Sequence, residues 1–372
     1  MKIFSWGPNS KGQHGSKDYE DYSYPNCISV SFHLNDVKSI ITGSTFSFII
    51  LKSGLLYACG NNNKGQLSLE NFENINYFRP LEHVFNIPVK SIAAGWDFSI
   101  ILTESGHAYS SGDNKHCQLG FDQNIKLLSK LQLVNVPPLK SIKAGMWHVI
   151  ALTTNNEIWT WGYNHKTQLG IWPKVRSGFI PEKRNIDMDE EIEFIIAGSY
   201  HSGFMTKQYN FIMWGDNQHG QCGINREDDI DTKLVKPRKM HSSLTDIVQL
   251  ESGWSHCVAR DVNGTCFSWG QNAYCQLGRR LSDNCDVDPI PGPVEYFLAN
   301  QIVITDISCG CQHNLALDTE NSLWSWGWND HGILGMGDLA DRLIPEKVSQ
   351  LVSPVSIISK GGSGSHSFAV ML

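Results

Sequence analysis

A glycine followed two residues later by asparagine, recurring at steps of 50 to 57 residues, constrains this chain more than any other feature. The pairs are Gly7 and Asn9, Gly60 and Asn62, Gly112 and Asn114, Gly162 and Asn164, Gly215 and Asn217, Gly270 and Asn272, and Gly327 and Asn329. Six of the seven copies add a glutamine four residues beyond the asparagine, as in the run WGQNAYCQLG at 269–278. Tryptophan precedes the glycine at Trp6, Trp161, Trp214, Trp269 and Trp326, while Cys59 and Ser111 stand in the other two copies. A second motif, Gly-x-x-His, alternates with the first: Gly145 to His148, Gly198 to His201, Gly253 to His256 and Gly310 to His313. Phe46 and Phe98 take the histidine's place after Gly43 and Gly95, and a last copy from Gly362 sets His366 one residue later. Two motifs in fixed phase along the whole chain mark a repeat architecture, in which each unit buries its apolar face against the next.

Within a unit, a short apolar strand leads into Gly-x-x-His, and a second strand such as VIAL at 149–152 follows. A tight turn comes next, as at Lys52-Ser53-Gly54, Glu104-Ser105-Gly106 or Val262-Asn263-Gly264, and a third strand runs into Trp-Gly. Short turn-punctuated strands with no 3.6-residue periodicity predict an all-β fold, and repetition around an axis predicts a propeller. The first residues read as the third strand of a unit, and the last residues as the second strand of that same unit. The prediction is one domain over 1–372, a seven-bladed β-propeller closed by pairing residues 2–7 with residues 366–371, which removes an exposed sheet edge. The proline-rich run at 288–293 is predicted to be an irregular loop, and the acidic runs at 187–191 and 227–231 to be solvated loops.

A net charge of −7 argues against nucleic acid as a partner, since phosphate backbones need a basic surface. No apolar run approaches the length of a membrane span, so membrane insertion is not expected. Ten cysteines without a Cys-x-x-Cys pair suit thiols in a reducing compartment. Cys309, Cys311 and His313 would share one face if they lay on one strand, but the other repeats fill these positions with no ligand. No metal and no cofactor are therefore expected.

The repeated residues have structural readings. The glycine after tryptophan permits close backbone approach or positive φ, and the asparagine bonds its own backbone in an Asx-type turn. Trp6, Trp161, Trp214, Trp269 and Trp326 pack between blades, where each indole N–H needs an acceptor. His148, His201, His256 and His313 occupy one fold position in four different blades. That repetition reads as a buried structural role and not as catalysis.

Together these motifs resemble the regulator of chromosome condensation repeat family, over essentially the whole chain. The runs AGWDFSIILTESG at 94–106, SGWSH at 252–256, CGCQHNLAL at 309–317, SWGWNDHG at 325–332 and NYFRP at 76–80 carry the likeness. The resemblance implies a seven-bladed propeller that acts through one face as a guanine nucleotide exchange factor for a small GTPase, linked to regulation of secretion. The alternative is a non-catalytic interaction scaffold. Partners would be a small GTPase or a secretory-machinery protein, met by a monomer in the cytoplasm and also in the nucleus. Exchange needs no covalent catalyst, so no catalytic residue is assigned. In the exchanger that acts on Ran, residues important for exchange occupy the variable positions of Gly-x-x-His loops. Here those positions make Trp96, Asp97, Trp147, Tyr200, Trp254 and Gln312 the candidate partner-binding residues. The face is expected to be aromatic, with Asp97 its only acid. The loss of the other acidic and histidine groups argues against Ran itself.

Overall fold

The computed structural model describes residues 1–81, 88–172, 178–186, 189–224, 234–240, 244–281 and 285–371. Its strands form seven four-stranded antiparallel sheets. Numbered by their innermost strands, blades 1 to 6 cover 37–80, 89–133, 139–183, 192–239, 247–293 and 304–347. In blade 3 the strands from axis to rim, a to d, are Leu139–Ala144, His148–Thr153, Ile158–Gly162 and Phe179–Lys183. Blade 7 takes its strands a and b, Val355–Ile358 and Ser367–Met371, from one end of the sequence. Its strands c and d, Lys2–Gly7 and Tyr22–Ile28, come from the other. Lys2 pairs with Met371 and Trp6 with Ser367, so the expected closure is present, one residue shorter than expected at its inner end.

Strands b are largely buried from end to end because neighbouring blades cover both their faces. All six residues of Phe46–Leu51, Phe98–Thr103, His148–Thr153 and His201–Thr206 are buried. Strands d are edges and read as polar segments. This corrects the reading of 288–293 as a loop: Val287–Pro293 is strand d of blade 5. An edge strand bonds on one side only, so it tolerates proline, and a register shift separates the Gly270–Asp288 and Ser268–Gly292 pairs. The short helix Glu295–Ala299 follows and packs Phe297 edge-on to Trp326, with ring centroids 5.8 Å apart. Of the acidic runs, 227–231 and residues 187–188 lie outside the described residues. Glu190 accepts hydrogen bonds from Thr206 and Asn210, and Glu191 pairs with Lys207.

Blades are joined by the repeated polar residues. The Trp161 indole donates to the Gln118 carbonyl of the preceding blade at 3.0 Å, Trp214 to Gln168 at 2.9 Å and Trp269 to Gln221 at 3.2 Å. Trp326 reaches Gln276 in the same way, and Trp6 reaches Ile333 across the closure. All five indoles are buried. Asparagine does not form the expected two-residue turn. Asn164 Oδ1 accepts from the N–H five residues on, at Leu169, and the other six copies do likewise. The larger span holds the whole loop from Trp-Gly to the next glycine in one shape.

Each motif histidine reaches the next blade. His148 Nε2 lies 2.8 Å from Ser202 Oγ, His256 Nε2 2.9 Å from Asn314 Oδ1 and His313 Nε2 3.0 Å from Ser367 Oγ. His201 Nε2 meets Ser252 Oγ at 2.9 Å, and His366 meets Ser47 at 2.6 Å. Burial drives His148, His201 and His313 down to about 3 and His256 to about 4, so all are neutral. The idea that Cys309, Cys311 and His313 share a strand face is corrected. Cys309 ends strand a of blade 6, Cys311 sits in the loop and His313 begins strand b.

Candidate partner-binding face

Every Gly-x-x-His loop joins strand a to strand b at the same end of its blade, so all seven loops surround one mouth of the ring. Their first variable residues are tied into a belt. Trp96 N–H donates to Met146 O at 3.1 Å, Met146 to Ser199 O at 3.3 Å, Ser199 to Trp254 O at 3.1 Å and Trp254 to Cys311 O at 2.9 Å. Cys311 N–H continues to Gly364 O at 2.8 Å, Ser365 Oγ to Ser44 O at 2.8 Å, and Ser44 Oγ to Trp96 O. The second variable residues form an outer ring fixed to the Trp-Gly loops. Tyr163 N–H, next to Gly162, donates to Trp147 O at 2.8 Å. A Cβ on Gly162 would lie 2.5 Å from that carbonyl oxygen, and its φ is +100°, so both reasons for glycine apply.

Two aromatic groups stand on this frame. Trp96 and Trp254 meet across the axis, with ring centroids 5.8 Å apart. Trp147 packs against Tyr200 and Tyr163, each at 6.0 Å, and against His116 at 5.6 Å. Met146 links the two groups: it accepts from Trp96 through its backbone and from the Tyr200 hydroxyl through its sulfur, at 3.2 Å. Only Trp96 is exposed, at 36%; Trp147, Tyr200 and Trp254 are half-buried. Gln312 lies on the next blade after Trp254, its side chain accepting from Gln276 at 3.1 Å.

The expectation of a single acid is corrected. Asp113 and Asp216 also reach this face, paired with Lys64 at 3.9 Å and Lys166 at 3.5 Å. They follow the Trp-Gly-type glycine, as do Tyr163 and Trp328. The missed signal was that this position abuts the second variable residue of the Gly-x-x-His loop. Asp97 N-terminal to Phe98 lies close enough to Asp113 to feel its charge.

The family description of the RCC1-like domain matches residues 2–369. The chain belongs to this family. The secretion-regulating guanine nucleotide exchange factor of Bos taurus is 32% identical over 390 residues, covering 99% of this chain and 82% of the bovine protein. The Mus musculus protein of the same name is 29% identical, covering 99% of this chain and 83% of its own. Among solved structures, Prp20p of Saccharomyces cerevisiae, studied for its binding to Gsp1p and histones, superposes with a TM-score of 0.86 at 21% identity. That likeness spans 100% of this chain and 92% of Prp20p, and it is one of fold.

In this RCC1-like propeller the face carries two polar atoms with no partner among the described residues, Asp97 Oδ1 and Trp254 Nε1. Burial, and then the Asp113 charge, push the Asp97 carboxyl up to about 6. Tyr200 is raised to about 12, chiefly by burial. A rigid frame thus presents half-buried aromatic rings beside a carboxyl that Lys64 and Gln118 only partly offset.

Proposed function

We propose that this propeller is a guanine nucleotide exchange factor for a small GTPase, serving secretion, and that the GTPase docks on the face built by the Gly-x-x-His loops. The observation that carries the reading is the end-to-end likeness to the bovine exchange factor, 32% identical over 99% of the chain. Exchange works by differential binding: a surface that holds the nucleotide-free GTPase more tightly than the loaded form lowers the barrier to nucleotide release. A frame locked by its hydrogen-bonded belt suits that task, because little ordering cost falls on the exchanger. Trp96 and Trp254 supply the anchor, with Trp147 and Tyr200 beside it, and Asp97 meets a basic group of the GTPase. The same reading makes this a cytoplasmic protein, with the nucleus as a second location. Its ten free cysteines accord with a reducing compartment.

The test is release of a fluorescent guanine nucleotide from a panel of small GTPases, with and without the protein. One GTPase should show accelerated release. The double variant Trp96→Ala, Trp254→Ala should stay folded and weaken binding of that GTPase by about 2 kcal/mol or more. Asp97→Asn should weaken binding and lower its salt dependence. Because Asp97 titrates near 6, wild-type binding should fall as pH drops through 6, and the Asn variant should lose that step. A partner bound equally well with and without nucleotide would instead make this propeller a scaffold.

A further inference from the structure

The triplet Lys-Ser-Ile occurs three times at one repeat position, as Lys38-Ser39-Ile40, Lys90-Ser91-Ile92 and Lys140-Ser141-Ile142. Each begins at the second residue of strand a, in blades 1, 2 and 3, at the end remote from the aromatic face. The lysines climb from blade to blade. Lys38 Nζ donates to Lys90 O at 3.2 Å, Lys90 Nζ to Lys140 O at 2.6 Å and Lys140 Nζ to Ile192 O at 3.3 Å. They rim a cavity of about 510 Å³ in the central channel, walled by Ile41, Ile92, Ile142 and Ile196.

At the aromatic end this channel is crossed by the loop of blade 7. From the pairing position Val355 to His366 it is two residues longer than the blade 6 stretch from Ile304 to His313. Its extra length carries Gly362 against the Ser252 carbonyl of blade 5, 2.2 Å from where a Cβ would be, and Gly361 against Thr42 of blade 1. The cavity therefore opens toward the lysines.

The charges at this mouth are not balanced. Glu104 pairs with Lys38 at 3.2 Å, and Glu191, already held by Lys207 at 2.8 Å, lies 4.0 Å from Lys140. Glu193 takes the lysine position in blade 4. Deeper in, Lys143 is matched by Glu251 at 3.1 Å and Lys360 by Asp306. Among the described residues, Lys90, the middle lysine of the three, has no carboxylate within ion-pairing distance. Nor do the hydroxyls of Ser39, Ser91 and Ser141 have hydrogen-bond partners among the described residues.

We propose that this channel binds an anionic amphiphile. A phosphate or carboxylate head takes the ammonium and hydroxyl donors of the Lys-Ser pairs, and a short apolar body lies against the isoleucines. The volume is that of a small-ligand pocket, and the apolar wall with a few convergent donors is the usual composition of one. The site lies at the mouth opposite the proposed GTPase face and does not depend on that assignment.

Calorimetric titration of the full chain with octyl phosphate, octanoate, inorganic phosphate and octyltrimethylammonium tests it. Octyl phosphate or octanoate should bind at one per chain, the tighter of the two naming the head group. Inorganic phosphate should bind at least about tenfold more weakly, for want of an apolar body. Lys90→Gln should weaken amphiphile binding about tenfold, and Ser91→Asp should abolish it by setting a carboxylate among the lysines. Both positions are half-buried at a channel mouth, and melting curves verify that each variant folds. Absence of binding at millimolar octyl phosphate and octanoate would overturn the proposal. So would unchanged affinity in the folded Lys90→Gln variant, or equally tight binding of octyltrimethylammonium.

Discussion

Trp269 shows how one side chain can hold two blades. Its ring is buried beside Phe211 of blade 4, edge-on with centroids 6.4 Å apart, and its indole N–H closes on the Gln221 carbonyl. Replacement by alanine removes the buried ring and leaves that inter-blade seam underpacked. Trp269→Ala should cost about 3–5 kcal/mol, measured by chemical denaturation. Trp161, with the same geometry against Gln118, should behave alike. Cys59 and Ser111 show how the other two blades manage without an indole. Cys59 Sγ reaches the Gln13 carbonyl at 3.3 Å, and in blade 2 Ser99 Oγ takes the Gln66 carbonyl at 2.7 Å. These assignments were legible in the sequence because the tryptophans recur in phase. The acceptor was not, because it is a backbone carbonyl, and a carbonyl leaves no mark on residue type.

Strand b supplies the element-scale lesson. Its first residue is His in four blades and Phe in two, with His366 just ahead of the strand in blade 7, and the residue after it changes with the neighbour it meets. His148 faces Ser202, whereas Phe98 packs in one apolar cluster with Val149. The histidines are held far below their ordinary value by burial, so the folded protein stays neutral where the unfolded chain binds protons. Their contribution to stability is thus whole above pH 6.5 and is lost as pH falls toward 3. The double variant His148→Phe, Ser202→Val copies the pairing of blades 2 and 3. It should fold and show a shallower loss of stability between pH 6.5 and about 4, seen in denaturation curves taken at a series of pH values. Strands a to c were legible as elements because their apolar runs recur with the motifs. Strands d were not: they lie at the rim, solvent covers one edge, and segments such as Phe179–Lys183 or Val287–Pro293 are chosen for exposure and not for packing. The face suffered from the same limit. Trp96, Asp97, Trp147, Tyr200 and Trp254 could be picked out within their loops. Asp113, Asp216 and Tyr163 come to them only through the contact between two loops of one blade.

For the whole molecule the closure of blade 7 is decisive. Removing residues 1–7 deletes strand c of that blade and uncovers the ladder edge of Ser367–Met371. It also deletes Trp6 and its bond to Ile333 in blade 6. The shortened chain should melt at a clearly lower temperature and scatter as a larger particle, checked by a thermal scan and small-angle scattering. An unchanged melting temperature would mean that the other six blades hold the ring without this seam.

The same seam sets a timetable. Strand Lys2–Gly7 leaves the ribosome ahead of its inner neighbour Ser367–Met371 by nearly the whole length of the propeller. At about 5–20 residues per second, the early strand waits roughly 20–70 seconds for its partner. Throughout that interval a half-built sheet with an open edge is available to any nascent chain that offers a strand, including a second copy on the same messenger. Production of this protein is therefore most exposed to mispairing just before Ser367–Met371 emerges, when six blades are complete and the seventh lacks the strand that joins its two halves.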